Sequence, residues 1–253
     1  MQVTSMGNKV ASYIEKLQSQ KDWDNFLMKE SGLPGPRANL ELLQVFADAA
    51  DEKLINSYVS ISPAEAPENS AKLFLVLCGV VGLGTLVNKG KLEYLKQLRQ
   101  FASDPRWRVR EAVAIALQRI GDKDMTFLLK EMKEWSTGNL LEKRAAAAAL
   151  CEPRLLKTEK TSDAVLDVLD VITQLVASEP NSKTEALDVL KKALGYCWSV
   201  ATAANPQKGK KLMEKWAQNN DKTIQWIIKE NLKKKRLLKM DKTWVANQKA
   251  KLN

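Results

Sequence analysis

Hydrophobic positions recur near every 3.6 residues along almost the whole chain, while the period-two alternation of strands is missing. With short turn signals as punctuation, this pattern predicts helices over about 6–20, 22–31, 37–50, 51–61, 69–87, 91–103 and 105–120 in the first half. In the second half it predicts them over about 123–136, 139–151, 162–178, 182–203, 207–218 and 222–238. Pro34-Gly35-Pro36 and the segment SPAEAP at 62–67 are the clearest loops. The second of these suggests an N-terminal helical cap over 1–67, a repeat array over 68–240 and a basic tail over 241–253.

The stretch DPRWRVREAVAIALQRIGD shows the grammar in full. Asp104 is placed to cap a helix and Pro105 to occupy its first turn, where a missing N–H costs nothing. Val109, Ala112, Val113, Ala116, Leu117 and Ile120 then share one face. Gly121 is expected to end the helix in a left-handed conformation. Consecutive helices pair as 91–103 with 105–120, 123–136 with 139–151, 162–178 with 182–203, and 207–218 with 222–238. Hairpins of roughly 35–45 residues that cannot bury their apolar faces alone imply stacking. The expected fold is all-α, a right-handed α-solenoid of HEAT-like hairpins.

Composition narrows the function. Apolar residues make up 45% of the 253-residue chain and charged residues 28%, as in ordinary folded proteins. The apolar run Leu73–Val87 is short of the roughly 20 residues that span a bilayer. The N-terminus lacks the pattern of a secretory signal, so cytoplasmic residence and no membrane partner are expected. Cys78, Cys151 and Cys197 are isolated in apolar contexts and read as buried thiols. Histidine is absent, which excludes Ser-His-Asp and Cys-His nucleophile systems and histidine-ligated metals. No cofactor, metal site or catalytic residue is expected.

Charge is unevenly placed. Residues 207–253 hold fourteen Lys/Arg against four acids, a balance of +10, and the remainder is neutral. A neutral body with a basic end suggests a polyanion partner.

The run D-P-x-W-x-V-R-x-A-x-x-x-A-L-x-x-I-G resembles the second helix of a HEAT repeat, echoed in LEKRAAAAALCEPRLL and DKTIQWIIKENLKKKRL. The order W-R-V-R, KKALGYCWSVATAANPQKG, MEKWAQNN resembles the bacterial alkylpurine DNA glycosylase (HEAT-like) superfamily over about residues 90–240. An uncharacterised bacterial group of HEAT-repeat proteins is similar as well. The superfamily resemblance implies hairpins curved around a duplex and a catalytic Asp one helical turn after a Trp. The hairpin expected to carry that pair, LVLCGVVGLGTLVNKGKLEYLKQLRQ, holds neither. Shape therefore carries over, and excision of alkylated bases does not.

Candidate contact residues follow from placement. Trp107 lies opposite the apolar stripe of its helix, where it can stack on a base or clamp a peptide. Arg106 and Arg108 flank it as phosphate contacts, whereas Arg110 reads as structural. Lys191 and Lys192 precede Trp198 in a basic-then-aromatic order. Lys222, Trp226, Lys229 and Lys233 fall on one stripe at i, i+4, i+7 and i+11, opposite Ile224, Ile227, Ile228 and Leu232. For each, packing or a solvated face is the bland alternative. Two functions stand ahead of the rest: a scaffold for protein–protein interaction, and a nucleic-acid-binding solenoid related to DNA alkylation repair, with DNA ahead of RNA. Oligomeric state is open.

Overall fold

A computed structural model describes residues 2–19, 22–178 and 184–252. The expected helix end at Gln20, the expected start at Ser182 and Asn253 of the expected tail lie outside the described residues. All regular structure among the described residues is helical, so the all-α expectation is met. The chain forms two compact units, 1–120 and 121–253. The boundary expected near residue 67 falls inside the first.

Unit 1 contains α1 (Gln2–Ser19), α2 (Trp23–Glu30), α3 (Leu40–Ala49), α4 (Glu52–Val59), α5 (Leu73–Asn88), α6 (Tyr94–Phe101) and most of α7 (Trp107–Lys123). The apolar run too short for a membrane is α5, buried from Leu73 through Val87. It packs against α2, α3, α4 and α6. Its glycines are spacers: a methyl on Gly79 would meet Tyr58 and Val59 of α4, and one on Gly82 would meet Ile55. At Gly84 the obstacle is main chain, the Ala116 carbonyl of α7 at 2.6 Å.

The start of α7 departs from expectation. Helix begins at Trp107, two residues late, because Asp104 is used differently. Its carboxylate accepts from the Arg106 main-chain N–H (2.8 Å) and pairs with the Arg106 guanidinium at 2.9 and 2.8 Å. Gly121 does not end the helix either, which runs on to Lys123. A Cβ there would stand 2.6 Å from Leu128 and 3.1 Å from Leu155, so this glycine serves close packing.

Unit 2 is built as stacked hairpins. α8 (Met125–Trp135) pairs with α9 (Leu140–Leu150), α10 (Glu159–Ser178) with α11 (Glu185–Ala204), and α12 (Pro206–Ala217) with α13 (Lys222–Leu232). The first helices stack as α8, α10, α12, and the second as α9, α11, α13. Ala145, Ala146, Ala147 and Ala149 are buried around α9, which packs closely against α11 with these small side chains. At the next seam the fully buried Asn231 joins α13 to α11. Its Oδ1 accepts from the Ser199 N–H at 2.8 Å, and its Nδ2 donates to the Leu194 and Ile227 carbonyls at 2.9 and 2.7 Å.

The single helix expected over 222–238 is interrupted after Leu232, and a second piece, α14 (Lys235–Met240), follows. The expected tail is instead a packed helix, α15 (Lys242–Lys251), with Trp244, Val245 and Gln248 buried. Asp241 caps it and also pairs with Lys210 of α12, while Trp244 Nε1 donates to Glu214 at 2.6 Å.

The Gly84 contact sets a stability test. Gly84→Ala places a methyl against main chain that cannot rotate away, so it should destabilise unit 1 by about 1–3 kcal/mol. The midpoint of urea denaturation should fall accordingly, with the helical circular-dichroism spectrum retained.

Candidate functional site

In unit 2 the basic residues separate into two populations. Of the four lysines of α12, Lys208 and Lys215 are engaged by α10, where Asp163, Asp167 and Asp170 follow one another at helical spacing. Lys210 pairs with Asp241, and Lys211 stands exposed with no carboxylate pair among the described residues. Lys208 pairs with Asp167 at 2.8 Å, and Lys215 with Asp170 at 3.0 Å. Trp216 Nε1 donates to Asp170 at 2.7 Å beneath the Lys215 ammonium, which lies 4.6 Å from the ring centroid. Glu230 similarly holds Lys233 at 2.9 Å and Lys234 at 2.8 Å. Those two lysines keep the Glu230 carboxyl below the usual carboxylate range, chiefly through Lys234, so the pairs persist at neutral pH.

The second population has no such partners. Among the described residues, Lys222, Lys229, Lys235, Lys239, Lys242, Lys249 and Lys251 are exposed and paired with no carboxylate. They stand on α13, α14 and α15. Lys192 of α11 joins them, exposed one helical turn before Tyr196.

The aromatic side chains near these lysines are not those the sequence suggested. Trp198 is fully buried, and its Nε1 donates to Thr173 Oγ1 at 3.0 Å inside the unit. Tyr196, two residues earlier and about 200° away around the helix, is 45% exposed. The Arg236 guanidinium covers its ring at 4.4 Å and donates to its hydroxyl. Trp226 is half-buried: its ring edge fills the space over Gly195, and Lys191 Nζ sits 4.6 Å from its centroid. Lys191 is therefore committed to Trp226. The Lys222–Lys229–Lys233 stripe is present and exposed, although Lys233 caps α13 rather than lying within a longer helix. Lys192 followed by a tyrosine at i+4 is the signal that could have identified Tyr196. Arg236 carried no local signal, since it meets Tyr196 from 40 residues away.

In unit 1 a cleft of about 250 Å³ is lined by Leu40, Leu43, Leu77, Ile115, Trp107 and Glu111, among others. Trp107 is 46% exposed and Leu40 is 56% exposed. Glu111 stands one helical turn after Trp107, the spacing that the glycosylase resemblance gives to Trp and Asp, with the longer carboxylate. W-x-x-x-E was legible in the sequence, but the pair was sought one hairpin earlier.

The arginines beside Trp107 are structural, which corrects their reading as phosphate contacts. Arg106 is 5% exposed, occupied by Asp104 and by the Ala66 carbonyl at 3.2 Å. Arg108 is 8% exposed. It donates to the Gly35 carbonyl at 2.7 Å and to Asn69 at 3.2 Å, and pairs with Glu68 at 3.3 Å. Together they fasten the two Pro-containing loops of unit 1 to the start of α7. Arg110 donates to the Asp104 and Pro105 carbonyls.

No protein-family model matches the chain, and no curated relative does. Among solved structures it is similar to AlkD2 from Streptococcus mutans, with 17% sequence identity and a TM-score of 0.57. The match covers 90% of this chain and 98% of that one. At this identity the likeness establishes the fold alone, an all-helical arrangement. No helix among the described residues is long and apolar enough to cross a membrane.

Removing the buried Arg106 guanidinium leaves Asp104 buried and uncompensated. Arg106→Met should therefore cost about 3–5 kcal/mol of stability, measurable by chemical denaturation. At a temperature where the variant stays folded, nucleic-acid affinity should match that of the parent.

Proposed function

We propose that this chain is a nucleic-acid-binding helical-repeat protein whose contact surface is the lysine face of α13, α14 and α15, joined by Lys192 of α11. Duplex DNA is its first ligand. One observation carries this reading: internal pairs account for Lys208, Lys210 and Lys215 of α12 and for Lys233 and Lys234 beside Glu230, while Lys222, Lys229, Lys235, Lys239, Lys242, Lys249 and Lys251 stand exposed and without carboxylate partners among the described residues. Seven lysines on three consecutive helices is more like charge than a solvated face requires, and it is the arrangement that neutralises phosphates and releases counterions. The likeness to AlkD2 supports the reading by analogy of fold.

A second reading, a scaffold for protein partners, is favoured by the unit 1 cleft. Leu40 and Trp107 are both half-exposed there, and an apolar side chain of a partner would cover them. The two readings differ in salt dependence.

Gel retardation or fluorescence anisotropy on a short duplex across a salt series provides the test. Affinity should fall linearly in log–log form. Lys222→Gln with Lys229→Gln should lower that slope by roughly one to two units, about 0.9 per lost phosphate contact. Lys208→Gln with Lys215→Gln, which removes an equal charge from internally paired positions, should leave the slope nearly unchanged. Parent protein that binds no duplex even at low salt would leave the scaffold reading in its place.

The cleft generates its own expectation. No release of alkylated purines from methylated DNA above the spontaneous rate is expected. Release that disappears on Glu111→Gln or Trp107→Ala would instead assign excision to this cleft.

A further inference from the structure

Unit 2 contains a groove of about 350 Å³ walled by Pro153, Leu156, Val200, Ala203 and Ala204, with Arg236 at its side. Apart from that guanidinium the wall side chains are apolar. The volume lies at the lower end of the range for small-ligand sites, which suits a flat ring rather than a long chain.

Arg236 is held differently from Arg106, Arg108, Arg119 and Arg154. Arg106 and Arg108 end on carboxylates, as do Arg119 on Asp48 and Arg154 on Asp122. Arg236 has no carboxylate partner among the described residues. Instead it lies over the Tyr196 ring, and Nη2 donates to the tyrosine hydroxyl. Stacking and this hydrogen bond fix the plane of the guanidinium before any ligand arrives. A guanidinium has five N–H donors in a rigid fork, and this one leaves most of them available. Such a fork matches the paired oxygens of a phosphate.

We infer that Arg236, Tyr196 and the adjoining groove form a site for one nucleotide unit of single-stranded nucleic acid. The phosphate lies on Arg236 and the base enters the groove between Leu156 and Ala203. This inference rests on the nucleic-acid reading above and narrows it. A base stacked inside a duplex cannot enter a groove, so the site takes strands with unpaired bases. Lys192, one turn before Tyr196 on the exposed side of α11, continues the positive surface along the backbone of such a strand.

The test compares a short oligothymidylate with a blunt duplex of equal length, using fluorescence anisotropy on the full chain. Arg236→Met should weaken single-strand binding about tenfold, the worth of one charge-assisted contact, and leave duplex binding within about twofold. Ala203→Met fills the groove without altering charge. It should weaken single-strand binding comparably, with an unchanged salt slope. On unaltered protein, thymidine 5′-monophosphate should displace the oligonucleotide at concentrations where inorganic phosphate does not. This last arm requires no variant to fold, and circular dichroism checks those that are used. Folded Arg236→Met and Ala203→Met proteins that bind the single strand as the parent does would overturn the inference while leaving the duplex reading intact. Equal displacement by inorganic phosphate would also overturn it, since the groove would then contribute nothing. Parent protein that binds neither strand form would remove both.

Discussion

The Asn231 amide sits without solvent access between two helices, and its three hydrogen bonds all go to main chain: two on α11 and one on its own helix. A buried amide that loses such partners costs about 1–3 kcal/mol, so the seam tolerates little sliding or rotation of α13 against α11. Just beside it Gly195 admits the edge of Trp226. Register at this seam decides which residues of both helices face outward. With it fixed, Tyr196 and Lys192 emerge on one side, Trp198 turns inward, and Lys222 and Lys229 remain exposed. The candidate surface is in this sense a by-product of a core contact.

Both units solve the problem of close helix approach with small residues. In unit 1, α5 seats α4 on Gly79 and Gly82 and meets α7 main chain at Gly84. In unit 2 the alanines of α9 do the same for α11, and Gly209 of α12 admits the main chain of Thr202, 2.6 Å from where its Cβ would lie. Interiors at crystal-like density leave no slack for an added methyl at such crossings. The pairing of stacked hairpins thus depends on the absence of side chains as much as on their presence.

The helices of the array and their apolar faces were legible because a 3.6-residue period survives whatever packs on it. The α7 stripe from Val109 to Ile120 is buried as read, and Trp135 and Trp216 also pack inward. Ends were less legible, because they turn on side-chain contacts that periodicity does not encode. Asp104 preferred an arginine two residues on to a capping role, and Gly121 was needed for Leu128 and Leu155 rather than for a left-handed turn. The charged residues misled for the same reason. Nothing local marks Arg106 and Arg108 as fasteners of loops about 40 and 73 residues away. Choosing Trp198 over Tyr196 weighed residue type above the 100° step of the helix.

The Asp163–Asp167–Asp170 ladder has an effect beyond holding α12 in place. A lysine beside its carboxylate presents a dipole, and the field of a dipole dies away faster than that of a lone charge. Seen from a Debye length or more away, Lys208 and Lys215 are nearly invisible, and what reaches into solution is chiefly the field of the unpaired lysines, most of them on α13, α14 and α15. An approaching polyanion would be turned toward those helices during its diffusional encounter. The acids of α10 thereby give the molecule a front for collision, without touching anything that collides with it.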